Sequence, residues 1–181
     1  RALTVSADGR FVYAVHTFAR YALPTTQLDR GWMNTSAVSV IDAVQPRVIA
    51  TVLLDDIDLG AANPAAVACS RDGKLLAVAH AGTHEISLID RAALHDRIDR
   101  ATRGEAVTEV SHSAKDIPND LSFLHGIRRR IKLTGNGPRT LVATAEGFAA
   151  ACYFSNTLHL LKTGPDLTAT VRDVVLGPNE E

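Results

Sequence analysis

The chain has 181 residues, 46% of them hydrophobic, which is enough to bury the core of one ordinary domain. Its 19 basic and 20 acidic residues leave a formal net charge of -1, so nothing global favours nucleic acid or an anionic membrane as a partner. No apolar run approaches the roughly 20 residues a membrane helix needs. The chain also opens on Arg1 inside what reads as a strand, as an excised segment of a longer protein would.

Taken in order, Ala2 to Ser6 and Arg10 to His16 read as two short strands joined by an Ala7-Asp8-Gly9 turn. After a long loop, Ala37-Val38-Ser39-Val40-Ile41-Asp42 is rich in β-branched residues and predicts a third strand, with Val48 to Leu54 as the fourth. A second round runs Ala65 to Ser70, Lys74 to His80, Glu85 to Asp90 and a strand near Arg130 to Leu133. A third runs Thr140 to Thr144, Phe148 to Phe154, Thr157 to Leu161 and Thr168 to Leu176. Ser6 to His16, Ser70 to His80 and Thr144 to Phe154 are degenerate copies of one acidic-Gly turn feeding a strand, which predicts a repeat architecture. Strands apolar at both parities, such as Leu75 to Ala79, should be covered on both faces.

Two insertions stretch the repeat. One separates the second and third strands of the first copy. The other, 91–127, reads as helix with Leu94, Ile98 and Ala101 on one face, then a polar loop from Gly104 to Lys115, then a second helical stretch from Leu121 to Ile127 begun by Pro118-Asn119-Asp120. Arg128-Arg129-Arg130 could form an anion site, but neighbouring strand residues alternate faces, so the run reads as a solvated edge. Cys69 and Cys152 sit in apolar runs and read as small buried hydrophobes; a disulfide between them has nothing to support it, and neither belongs to a Cys-x-x-Cys-His haem motif.

This order of turn, apolar strand ending in a polar residue, short turn and Val-Ser-Val-Ile-Asp-like strand resembles the YVTN-repeat β-propellers over nearly the whole chain. The matching third strands are Ala37 to Asp42, Glu85 to Asp90 and Asn156 to Leu161, while the family's usual Asn at the end of the second strand is replaced by His16, His80 and Phe154. More narrowly, the loop Pro24 to Thr35 and the stretch Gly135-Asn136-Gly137-Pro138-Arg139 look like the propeller part of bacterial envelope proteins that continue into a di-haem cytochrome c peroxidase-like domain. The resemblance implies an all-β segment of about three four-stranded antiparallel blades, at 1–60, 61–135 with the helical insertion 91–127, and 136–181. It further implies a periplasmic or cell-surface protein in which this segment is a non-catalytic binding or scaffold module. Its partners would be the remaining blades and a downstream redox domain. Haem c would lie in that domain with no cofactor in this segment, and any peroxidase-like oxidoreductase activity would belong to the whole protein.

In such a fold the Thr17 to Ser36, Asp55 to Asn63 and Thr134 to Arg139 loops share one rim, where binding loops concentrate. Arg20, Tyr21, Asp29, Arg30, Trp32, Met33 and Asn34 combine aromatic anchors with charges suited to a protein contact; the alternative is a loop packed on itself through Trp32 and Leu28. His16 and His80, with His84 near, could approach one another and hold a ligand, a metal or haem, although a metal needs further ligands. Ordinary hydrogen-bonded histidines at strand ends are the other reading. Asp56 and Asp58 could bind calcium but lack the spacing of an EF-hand, so the run Asp55 to Gly60 reads as a solvated acidic turn. Asn136 and Arg139 complete the rim, on a stretch without the Lys-Ser or Lys-Thr of a phosphate-binding loop. No Ser-His-Asp, paired-carboxylate or Cys-His set assembles, so no catalytic residue is assigned.

Overall fold

The computed structural model describes residues 2–19 and 34–177, and it resolves them into three separate four-stranded antiparallel sheets and one α-helix. The first sheet is a meander of β1 (Ala2–Val5), β2 (Phe11–Ala19), β3 (Asn34–Asp42) and β4 (Arg47–Leu53). The second contains β5 (Pro64–Cys69), β6 (Leu75–His80), β7 (Glu85–Asp90) and β8 (Arg128–Lys132), with α1 (Arg91–Thr102) between β7 and β8 in the chain. The third contains β9 (Pro138–Ala143), β10 (Gly147–Cys152), β11 (Thr157–Thr163) and β12 (Ala169–Val175).

The first two turn copies are chemically identical. Ser6 Oγ donates to Asp8 at 2.5 Å and accepts from the Phe11 N–H at 2.9 Å; Ser70 Oγ donates to Asp72 at 2.7 Å and accepts from the Leu75 N–H at 2.9 Å. Gly9 and Gly73 both take φ of 71°, a conformation that costs a glycine nothing. The third copy departs from the expectation. Gly147 has φ of 154° and already pairs with Lys162 as the first residue of β10, because the longer Glu146 side chain reaches Lys162 instead of closing the turn.

Strand alternation divides the middle sheet between two cores. Val67, Leu76, Val78 and Ile89 join Tyr13, Val15, Val38, Val40 and Val52 of the first sheet. Ala66, Ala68, Ala77, Ala79, Ile86 and Leu88 join Leu141, Phe148, Ala150 and Leu161 of the third. A strand buried on both faces must be apolar at both parities, which is why Leu75 to Ala79 carries no polar residue. β1 packs beside β5, and β5 beside β9, so the first strands of the sheets gather along one inner line. The outer faces of the stack expose Leu3, Val5 and Val48 at one end and Val142, Leu160 and Val174 at the other. Cys69 faces the first core and Cys152 the second, so the middle sheet separates them; both thiols are free.

Three further expectations need correction. β2 and β3 run further than predicted, to Ala19 and from Asn34, since Thr17, Phe18 and Ala19 pair with Ser36, Thr35 and Asn34. The expected helix at Leu121 to Ile127 is instead a 3₁₀ turn, Ile117–Asn119, followed by hydrogen-bonded turns. Its cause is Asp120, almost fully buried, whose carboxylate accepts from Thr108, Ser111 and Ser122 and so competes with helical bonding. The third correction concerns Arg128 and Arg130, which are not solvated. Being two apart, they share one face of β8 and reach across to the first sheet's exit loop. Only Arg129, on the other face, is exposed.

Candidate functional site

Hydrogen bonds tie the predicted rim loops into one continuous edge. The Leu54 N–H donates to Ser36 O at 2.7 Å, and Asp55, buried, accepts from the Ser36 N–H at 2.8 Å and the Ala61 N–H at 2.5 Å. Ala81 and Gly82 then donate to Asn63 O and Ala62 O, and the Gly137 N–H donates to His84 Nδ1 at 3.0 Å. Asn34 lies on this edge, paired with Ala19. Arg20, Tyr21, Asp29, Arg30 and Trp32 lie outside the described residues.

The structure does not bring His16 and His80 together. His16 shares a parity with Ala14, on the face turned away from the second sheet, whereas His80 shares one with Leu76 and Val78, facing the first. The first sheet therefore stands between them, and packed sheets are about 10 Å apart. Each instead bonds a serine on the next strand: His16 Nε2 lies 2.8 Å from Ser39 Oγ, and His80 Nε2 lies 2.9 Å from Ser87 Oγ. His80 is fully buried, and loss of solvation pushes its pKa down to about 3. In the third sheet the histidine has moved to the serine's own position, where His159 sits 2.7 Å from Asp173 and 3.1 Å from Thr157 Oγ1.

The acidic turn is likewise engaged with the protein. Arg128 pairs with Asp56 and donates to Leu54 O at 2.5 Å. Arg130 bonds Asp56 at 3.0 Å, Leu59 O at 2.8 Å and Gly60 O at 2.7 Å, and pairs with Glu85. Burial alone would raise the Glu85 carboxyl, but the Arg130 guanidinium bonded to it overcomes this and the net shift is downward. Asp58 is exposed. Among the described residues no three His, Cys, Asp or Glu side chains converge as a metal site.

Besides Ile57, Asp58 and Leu59, the rim leaves two aromatic rings open to solvent. Tyr153 and Phe154 are 65% and 66% exposed, stacked edge to face at 5.1 Å, with the Arg139 guanidinium 4.6 Å from one ring and 5.2 Å from the other. The lead-in strand holds them: Gly137 O accepts from the Tyr153 N–H at 3.0 Å and Asn136 O from the Phe154 N–H at 3.1 Å. Gly137, at φ of 68°, lies against the Phe154 ring, where an added Cβ would approach to 2.6 Å. Exposed Leu176 extends the patch. Arg139 and Asn136 were legible from sequence as rim residues; Tyr153 was missed, although the Tyr-Phe pair ending an apolar run was the available signal.

Three antiparallel sheets stacked face to face, with their first strands along one inner line, define an arc of a β-propeller. No family model matches the chain. The chain is 24% identical over 168 residues, 92% of its own length and 42% of the relative's, to the hydrazine synthase subunit beta of Kuenenia stuttgartiensis. A solved structure of Kuenenia stuttgartiensis hydrazine synthase superposes with a TM-score of 0.71 at 23% identity, over 98% of this chain and 46% of that one. The periplasmic gluconolactonase of Pseudomonas aeruginosa superposes with a TM-score of 0.58 at 13% identity, over 99% and 43%. The chain thus spans less than half the length of each of these proteins, and the likenesses establish the propeller fold.

Proposed function

We propose that this chain is a non-catalytic docking arc of a larger bacterial envelope β-propeller protein, and that its rim positions a c-type di-haem, peroxidase-like electron-transfer domain. The observation that carries the reading is the Arg139, Tyr153 and Phe154 stack. Two large aromatics, two-thirds exposed and held rigid by backbone bonds, are an unfavourable surface for water and a low-entropy anchor for a protein. Asp55, Asp56 and His84 of the same rim are taken up in fixing its loops, which favours a contact surface over a reaction centre.

In this reading the blades run 1–60, 61–135 and 136–181, and further blades cover the apolar outer faces around Leu3 and Val142. Support for the setting comes from the sequence resemblance, from a relative named as one subunit of a synthase, and from a structural neighbour named as periplasmic. The test is made on the intact protein. Pyridine haemochrome assay should find two c-type haems per chain. Tyr153→Ser with Phe154→Ser should expand the small-angle scattering envelope as the redox domain undocks. Absence of haem would overturn the redox partner, and an unchanged envelope would overturn the docking face.

A further inference from the structure

The opposite rim, where the Asp8 and Asp42 turns lie, carries a groove between the first sheet and α1 with a cavity volume of about 490 Å³. That size suits a small organic molecule. Its floor is apolar, with Phe11 and Ile49, and its wall is the polar stripe of α1, on which Arg91, His95 and Asp99 recur at helical spacing beside the buried stripe of Leu94, Ile98 and Ala101. From the first sheet's turns come Asp8, Arg10, Asp42 and Arg47.

The hydrogen bonding of these groups is lopsided. Asp8 accepts from the Ser6 hydroxyl and the Arg10 N–H, and Asp42 from the Val44 and Gln45 N–H groups, so each carboxylate commits one oxygen, Oδ1, to its own turn. Arg91 Nε donates to Gly73 O at 2.5 Å, and its Nη1 donates to the Tyr13 hydroxyl at 3.3 Å. A guanidinium only donates, so the Tyr13 oxygen accepts there and gives its own proton to His95 Nε2, 2.7 Å away. That places the remaining imidazole proton on Nδ1, as a donor in the groove wall. Burial, reinforced by the Arg91 charge, lowers the His95 pKa and keeps this ring neutral. Among the described residues, Arg10 and Arg47 make no ion pair, although Arg10 also lies over the Phe11 ring at 5.0 Å. Arg10, Arg47 and His95 therefore offer donors, the two guanidiniums alone carrying more free N–H groups than Asp99 and the second oxygens of Asp8 and Asp42 can take up.

We infer that this groove is a binding site for a small organic carboxylate with a flat apolar body, its oxygens taken by Arg10, Arg47 and His95 and its body laid on Phe11 and Ile49. Asp8 and Asp42 keep their charges, so the groove has no strong net field. Recognition rests on hydrogen bonds and apolar contact, and affinity should be modest.

The probe is benzoate, with inorganic phosphate as an anion lacking the apolar body, titrated by calorimetry into the intact protein. Benzoate should bind with one-site saturation, at least tenfold more tightly than phosphate. Arg10→Ala with Arg47→Ala, at two exposed positions, should weaken it at least fivefold. Phe11→Leu, a milder change at the floor, should weaken it while leaving the phosphate response unchanged. No saturable benzoate binding, equal affinity for phosphate, or full affinity in the arginine double variant each overturns the proposal.

Discussion

His80 and Glu85 face one another across β6 and β7, and burial acts on them with different results. Glu85 keeps its charge because Arg130 bonds it; His80 has Ser87, a neutral partner, and stays neutral. A native pKa near 3, against 6.5 for the exposed group, means that between those values the unfolded chain holds a proton the native chain does not. Stability from this site is therefore complete above about pH 6.5 and is lost on acidification, by up to about 1.4 kcal/mol per pH unit. Urea midpoints should fall from pH 7.5 to 5.5, and His80→Gln should shrink that fall without abolishing it, because His95 titrates in the same direction. A slope unchanged by the substitution would contradict the assignment. The arginines make a second residue-scale test. Arg130→Ala strands Glu85 and should cost about 2 kcal/mol, the partial exposure of Asp56 moderating the loss, whereas Arg129→Ala should stay within about 0.5 kcal/mol. Chemical denaturation of both variants decides.

At the scale of elements, α1 owes its place to three residues. Leu94, Ile98 and Ala101 are buried against the first core, and Asp90 caps the helix by accepting from the Ala93 N–H at 2.9 Å. Ile98→Ala should cost about 2 to 4 kcal/mol in the same assay, since the cavity opens where β-strands hold the neighbours rigid. That helix was legible in the sequence because the spacing of Leu94, Ile98 and Ala101 is helical. The stretch after it was not: Pro118-Asn119-Asp120 reads as a helix start, and only the buried position of Asp120 shows its carboxylate serving Thr108 and Ser111. The strands were legible from β-branched runs and paired turns. The faces were harder. His16 and His80 occupy equivalent places in two repeats, and the repeat itself keeps them apart, since equivalent residues point the same way around the arc. The groove beside α1 stayed hidden because Tyr13 and His95 meet only through tertiary packing, 82 positions apart.

For the whole molecule, the physical logic is stacking: each sheet has two apolar faces, and a neighbour must cover each. The middle sheet has both neighbours and buries β5, β6 and β7 almost completely; the outer two present Leu3 and Val142 to solvent at the ends of the stack. The rim is a different surface, made by loops tied together through Asp55, Asp56 and His84, and the Arg139, Tyr153 and Phe154 stack is the aromatic patch it offers outward. Hydroxyl-radical footprinting of the intact protein reads this directly, with fully buried Tyr13 as the internal standard of protection. If the rim docks a domain, Tyr153 and Phe154 will oxidise nearly as slowly as Tyr13 in the native protein and quickly after unfolding in urea. Native oxidation of both rings at the rate of the unfolded chain would mean that nothing rests on them.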